Sequence, residues 1–233
     1  IEIVGRKGRM GRALQRAIAQ AGHEFAGGVD AGAAPAGLAR TADVLVDFSS
    51  PDALADTLAA ARTAQVAVLV GTTGLTAEHH DLIAAAAREI PVLQTGNTSL
   101  GVTLLAHLVR ETAQRLGEDW DIEIVEMHHR MKVDAPSGTA RLLGEAAAAG
   151  RGIDLGANTE SGRDGMTGAR KPGAIGFAAL RGGTVIFAGE QERFVLSHSA
   201  EDRMIFARGA VRGAAWLVGR EPGRYTMNDV LGL

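Results

Sequence analysis

Two histidines, an arginine and a lysine crowd into one short run, His128-His129-Arg130-Met131-Lys132, just after an apolar stretch that ends at Val125. A histidine changes charge near neutrality and can donate a proton at working pH, while lysine and arginine hold anions. Pro136-Ser137-Gly138-Thr139 follows and reads as a helix start. The first amides of a helix have no partner within it, and together with the dipole they favour a carboxylate or phosphate. A further cation, Arg203, opens a later helix, where a bound anion would offset its unfavourable place at the positive end of the dipole. An ordinary ion pair with Glu201 or Asp202 would also account for it. Together these residues suit a small dianion beside a proton donor. A metal is one alternative for adjacent histidines, but they lack the i, i+4 spacing and an evident carboxylate partner, so none is expected. A solvated loop with incidental histidines is the plain alternative for the run taken alone.

The other candidate chemistry lies at the N-terminus. Gly5-Arg6-Lys7-Gly8-Arg9-Met10-Gly11 follows an apolar strand and opens a helix. Glycines there let the backbone pass close to a pyrophosphate resting on the helix start. The spacing is G-x-x-G-x-x-G, not the commoner G-x-G-x-x-G, and alone it equally describes a glycine turn packed on a helix. Context strengthens it, because Asp30 lies about 20 residues further on, where a dinucleotide site places the carboxylate for the ribose hydroxyls. Gly5 to Gly11 and Asp30 are therefore candidate cofactor contacts. Asp30 suits NADH and repels the 2′-phosphate of NADPH. Arg6 and Lys7 can offset that repulsion, so use of both cofactors is expected. Gly71-Thr72-Thr73-Gly74 ends another apolar strand. Its hydroxyls and backbone groups could hold a nicotinamide carboxamide, or it is a plain turn.

These groups need elements to position them. Apolar strands are expected at 1–4, 25–29, 44–48, 66–70 and 91–94, alternating with helices at 9–20, 52–63 and 76–88. Near-continuous apolar strands alternating with helices predict an α/β, Rossmann-like, doubly wound parallel sheet over residues 1–97. Beyond Asn97 the pattern changes. Helices are expected at 99–116, 137–149 and 203–218, with strands at 120–125, 174–180, 184–188 and 193–198 and a long loop over 151–173. Strands without intervening helices predict an α+β second domain, 98–211, with a mixed or antiparallel sheet. The end of the chain, 212–233, is expected to pack back on the first domain.

Composition narrows the function. At 46% hydrophobic residues a sizeable core can form, and a formal net charge of −3 argues against a nucleic-acid binder. The chain has no cysteine, which excludes disulfides and thiolate chemistry and fits a reducing compartment. No apolar run reaches the roughly 18 residues of a membrane span. Ile1-Glu2-Ile3-Val4-Gly5 reads as a strand, not a signal peptide. A cytoplasmic location is the expectation that follows. A nucleotide sensor without turnover is a second functional class, but it has no need of a proton donor beside an anion pocket.

The stretch Glu126-Met127-His128-His129-Arg130-Met131-Lys132-Val133-Asp134-Ala135-Pro136-Ser137-Gly138-Thr139-Ala140 resembles the signature of the 4-hydroxy-tetrahydrodipicolinate (dihydrodipicolinate) reductase family. The likeness extends to Gly8–Gly11, Asp47-Phe48, Gly71–Gly74, Asn97–Val102, Pro172–Phe177 and Arg203 with its helix, nearly the whole chain. The resemblance implies NADH- or NADPH-dependent reduction of a small cyclic dicarboxylate in the diaminopimelate route to lysine. It implies hydride transfer to ring carbon 4 of the unsaturated imine left by loss of water, then protonation of the neighbouring carbon. Acid roles would fall to His128 and Lys132, and the substrate carboxylates to His129, Lys132, Gly138, Thr139 and Arg203. Phe48 would join the cofactor site, with the nicotinamide near Gly71, Thr73, Asn97, Thr98 and Ser99. A homotetramer joined through the sheets of the second domain is also implied. The chain departs from the family in a shorter 182–189 stretch, in Ala31 where NADPH-preferring members carry arginine, and in Arg6 and Lys7 where small residues are commoner.

Overall fold

The computed structural model describes every residue except 31, 32, 34–36, 38, 129–131, 181–183, 190, 191 and 201. Its strands are β1 (Glu2–Val4), β2 (Gly27–Val29), β3 (Val44–Asp47), β4 (Ala67–Val70), β5 (Pro91–Gln94), β6 (Asp121–Met127), β7 (Thr159–Ser161), β8 (Ile175–Leu180), β9 (Thr184–Ala188), β10 (Arg193–Leu196) and β11 (Gly223–Tyr225). Its helices are α1 (Arg9–Gln20), α2 (Leu54–Ala64), α3 (Ala77–Ala86), α4 (Leu100–Leu116), α5 (Gly138–Arg151), α6 (Met204–Leu217) and α7 (Met227–Leu231). The chain divides into two compact units, one of residues 1–100 with 200–233 and one of 101–199.

In the first unit six parallel strands lie in the order β11-β5-β4-β3-β1-β2. β3 and β4 are buried at every residue, because helices cover both faces. Val46, Leu69 and Leu93 meet Leu14 and Ile18 of α1 and Ala207 and Val211 of α6. Leu45, Val68 and Val92 meet Leu54 and Leu58 of α2 and Ile83 of α3. From β1 the chain moves to β2 on one side, and later runs β3, β4, β5 on the other. The crevice between β1 and β3 is therefore the point where ligands settle in such sheets.

One expectation is corrected in this unit. Residues 98–100 and 200–211, expected in the second domain, group with the first. The cause is α6, which buries Ala207, Ala210, Val211, Ala214 and Leu217 in the core under the first sheet. The helix also comes close enough at Gly209 that a β-carbon there would fall on the Thr98 carbonyl oxygen. The C-terminal segment does more than pack back, because β11 adds a sixth strand in register with β5, Tyr225 beside Leu93.

The second unit carries a mixed sheet, β10-β9-β6-β8-β7. β6, β8 and β7 are mutually parallel, whereas β9 runs antiparallel to both β6 and β10. One face, with Ile122, Ile124, Ile175, Phe177 and Phe187, packs on Leu105 and Val109 of α4 and on Leu143 and Ala147 of α5. β7 lies inside the expected 151–173 loop. Thr159-Glu160-Ser161 is a short polar edge strand paired, among the described residues, with β8 alone, and it carries no apolar period to mark it. Residues 182 and 183 of the short hairpin lie outside the described residues.

Candidate active site

The N-terminal turn is built by contacts that exclude side chains. Gly5 has φ +89°, which favours glycine, and a β-carbon there would come 2.7 Å from the Phe48 carbonyl oxygen. At Gly11 a β-carbon would come within 2.5 Å of the Arg6 carbonyl group. α1 can therefore pack directly on the turn. Its N-cap is Gly8, with no side-chain cap and no acidic residue in the first turn. That leaves an uncapped, positively polarised helix start at the crevice, suited to a diphosphate. Arg9 and Met10 form the first turn of that helix.

Asp30 lies at the tip of β2 and is held by the same turn. Its Oδ1 accepts the Lys7 amide at 2.7 Å, and its Oδ2 pairs with Arg6 Nε at 3.3 Å. Arg6 and Asp30 are partly exposed, so the pair contributes only about 0–1 kcal/mol and opens at little cost. The structure thus brings Arg6, Lys7 and Asp30 together. Ala31, the other position that bears on cofactor choice, lies outside the described residues.

Phe48 and Gly71 follow β3 and β4 at the same sheet edge. The Phe48 ring lies on Gly71, where a β-carbon would enter the ring. A buried network not foreseen from sequence ties these two turns. Asp47 is fully buried, and its Oδ1 accepts Ser49 N at 2.9 Å, Ser49 Oγ at 2.6 Å and Thr72 Oγ1 at 2.9 Å. Asp47 Oδ2 is buried without a partner among the described residues. The available signal was an acid closing an otherwise apolar strand. Thr73 is exposed beside this network. After β5, Asn97 Oδ1 accepts Ser99 N at 2.9 Å, and Thr98 and Ser99 are buried. Thr98 Oγ1 donates to the Phe206 carbonyl at 2.7 Å, which fixes this turn on α6.

The second unit holds the polar cluster at the end of β6. Ile122, Ile124 and Glu126 alternate onto the face that α5 covers. Glu126 Oε2 lies 2.8 Å from His128 Nε2, and its Oε1 accepts the Ser137 amide at 2.8 Å. Burial pushes the Glu126 carboxyl up, but the hydrogen bonds from Ser137 and His128 outweigh it and hold the group below its ordinary range. Ser137 in turn caps α5, its Oγ accepting the Ala140 amide at 3.1 Å. Gly138 and Thr139 form the first turn of that helix. Lys132 pairs with Asp134, and the ammonium holds the Asp134 carboxyl below the usual range. His128, Lys132, Gly138 and Thr139 all lie in this unit, whereas His129 lies outside the described residues.

Arg203 belongs to the first unit. It forms the N-cap of α6, is exposed, and makes no ion pair among the described residues. Asp202 instead accepts the Met204 amide at 3.1 Å. The described residues contain no helix long and apolar enough to cross a membrane.

A parallel sheet with a glycine turn at its switch point, and a second α+β unit bearing a histidine–carboxylate pair at a helix start, define a two-domain oxidoreductase with a nucleotide-binding N-terminal domain. Residues 1–98 match the family description "Dihydrodipicolinate reductase, N-terminus", and residues 101–231 match "Dihydrodipicolinate reductase, C-terminus". The chain belongs to the dihydrodipicolinate reductase family. It is 50% identical to 4-hydroxy-tetrahydrodipicolinate reductase from Rhodopseudomonas palustris strain HaA2, covering 99% of this chain and 96% of that one. It is 51% identical to the enzyme of that name from Parvibaculum lavamentivorans, covering 100% and 97%. Among solved structures, dipicolinate-bound dihydrodipicolinate reductase from Paenisporosarcina superposes with a TM-score of 0.72, at 21% identity, over 97% of this chain and 96% of that one. That last likeness speaks to the fold alone.

Proposed function

We propose that this chain reduces 4-hydroxy-tetrahydrodipicolinate to tetrahydrodipicolinate, with loss of water, using NADH or NADPH in the diaminopimelate route of lysine biosynthesis. The observation that carries the reading is Glu126, whose two oxygens hold a histidine ring and the capped start of α5 side by side. A proton donor thus stands next to a helix start that favours carboxylates.

The first unit binds the cofactor. The α1 start and the glycine turn take the diphosphate, Asp30 the ribose, and Phe48, Gly71, Thr73 and the Asn97–Ser99 backbone surround the nicotinamide. When bound, the reduced nicotinamide supplies a hydride to ring carbon 4 of the dehydrated substrate. The second unit binds the substrate. The Gly138 and Thr139 amides, His129 and Lys132 hold its carboxylates together with Arg203, and His128 and Lys132 serve as acids for the adjacent ring carbon. Lys132 pairs with Asp134 and can exchange that carboxylate for the substrate's.

Two outcomes follow. Arg203→Ala should raise the substrate KM by about 10–100-fold, the scale of a lost charged hydrogen bond, with kcat little changed. An unchanged KM in steady-state kinetics removes Arg203 from the site. With Asp30 already neutralised in part by Arg6, NADH and NADPH should both be used. Their kcat/KM values should differ by less than about a thousandfold, or about 4 kcal/mol. The reading as a whole is tested by pyridine-2,6-dicarboxylate, a stable planar mimic of the ring. It should compete with the substrate, and lack of competition points to a related reductase acting on another acid.

The same reading covers assembly and location. The face of the second sheet turned away from α4 and α5 carries Val125, Ile186 and a half-exposed Val195. Glu123 on that face accepts Arg163 at 2.7 Å and Arg170 at 3.0 Å. Apolar residues framed by ordered ion pairs suit the sheet-to-sheet contact of a homotetramer. A cytoplasmic location agrees with a cysteine-free biosynthetic enzyme.

A further inference from the structure

We propose that Glu126 is the positioning residue of the proton transfer: it fixes hydrogen on Nε2 of His128, so that the proton given to the substrate leaves from Nδ1. The inference rests on the reductase reading and adds an atom to it. An ionised carboxylate only accepts hydrogen bonds, so each group facing it must donate. Ser137 N–H faces Oε1, and therefore the His128 nitrogen at 2.8 Å from Oε2 must carry hydrogen. The neutral ring is then the Nε2–H tautomer, with its lone pair on Nδ1. Among the described residues Nδ1 has no hydrogen-bond partner. Protonation places the second hydrogen there, and transfer to the substrate carbon leaves the neutral ring with Nε2–H still on Glu126. The carboxylate holds Nε2–H in place before and after the transfer, so the same tautomer is restored. Because its other oxygen holds the Ser137 amide, the same side chain sets the distance between the donor and the anion-binding turn of α5. Among the described residues the other charged groups of this segment are Lys132 and Asp134, which pair with each other, and the Asp134 carboxylate also lies within electrostatic reach of His128.

Glu126→Gln separates these roles. The amide keeps one acceptor oxygen, which the Ser137 N–H requires. Its NH2 then faces His128 Nε2, which must accept, so hydrogen moves to Nδ1 in the neutral ring. Protein labelled with 15N-histidine reports this directly, because the two ring nitrogens resonate apart when one is protonated. The His128 signals are assigned by their loss in His128→Gln. The expected result is Nε2–H in the parent and Nδ1–H in Glu126→Gln, with kcat lowered about 10²-fold or more and substrate KM little changed. A parental ring carrying hydrogen on Nδ1 overturns the inference, and this arm needs no variant, so poor folding of Glu126→Gln leaves the test intact. A folded Glu126→Gln with parental kcat overturns it too. The ring measurement proceeds without turnover. A parent that fails to oxidise reduced cofactor therefore sinks the reductase reading, while the tautomer separately judges the contact.

Discussion

His128→Gln should lower kcat by about 10²-fold or more, the usual scale for removing a general acid, in a protein that folds like the parent. The fold should survive because the ring is not part of the core. It is partly exposed, and its one described partner is Glu126. Glutamine matches its reach and can still donate to that carboxylate, so α5 keeps its cap. What it lacks is a ring nitrogen that can take up a proton and hand it on. The loss should therefore appear in kcat, with cofactor affinity unchanged, since the turn at Gly5–Gly11 belongs to the other unit. Lys132→Ala should cost a similar factor and also weaken substrate binding, because it removes an acid and a cation together. Turnover near the parental rate in both variants, with intact folding, would remove this cluster from the chemistry.

Gly11→Ala should weaken binding of either cofactor by about 10²-fold, equivalent to about 2.7 kcal/mol, near the upper end for an overpacked site. The added methyl group would meet the backbone of Gly5 and Arg6, which cannot rotate away as a side chain could. The turn and the first residues of α1 must part, and the amides that face the diphosphate move with them. Gly8→Ala provides the contrast. There the nearest atom is the Gly5 carbonyl oxygen at 3.2 Å, and φ is −63°, which alanine accepts. Its effect should be smaller than that of Gly11→Ala. Fluorescence titration with NADH compares the two variants, and equal affinities would refute the close-packing account of the turn.

The first unit was readable because its elements announce themselves. An apolar strand running into glycines marks β1 and the turn, Thr76 marks the start of α3, and Pro91 opens β5. β7 and β11 were not readable, since Thr159-Glu160-Ser161 and Gly223-Arg224-Tyr225 are edge strands of three residues with no alternation. The domain boundary shifted because helix periodicity in 204–217 shows that one face is buried, but not against which sheet. Site residues divide in the same way. The glycines, Asp30 and the basic run carry local patterns. The roles of Glu126 and Asp47 depend on partners 11 and 25 residues away, Ser137 and Thr72, and only folded geometry brings these together.

The most direct measurement is an optical assay in which the purified chain meets 4-hydroxy-tetrahydrodipicolinate generated in place, with NADH and NADPH supplied separately. Oxidation of both cofactors, dependent on the generated substrate, is the predicted result. A folded protein that oxidises neither would contradict the account.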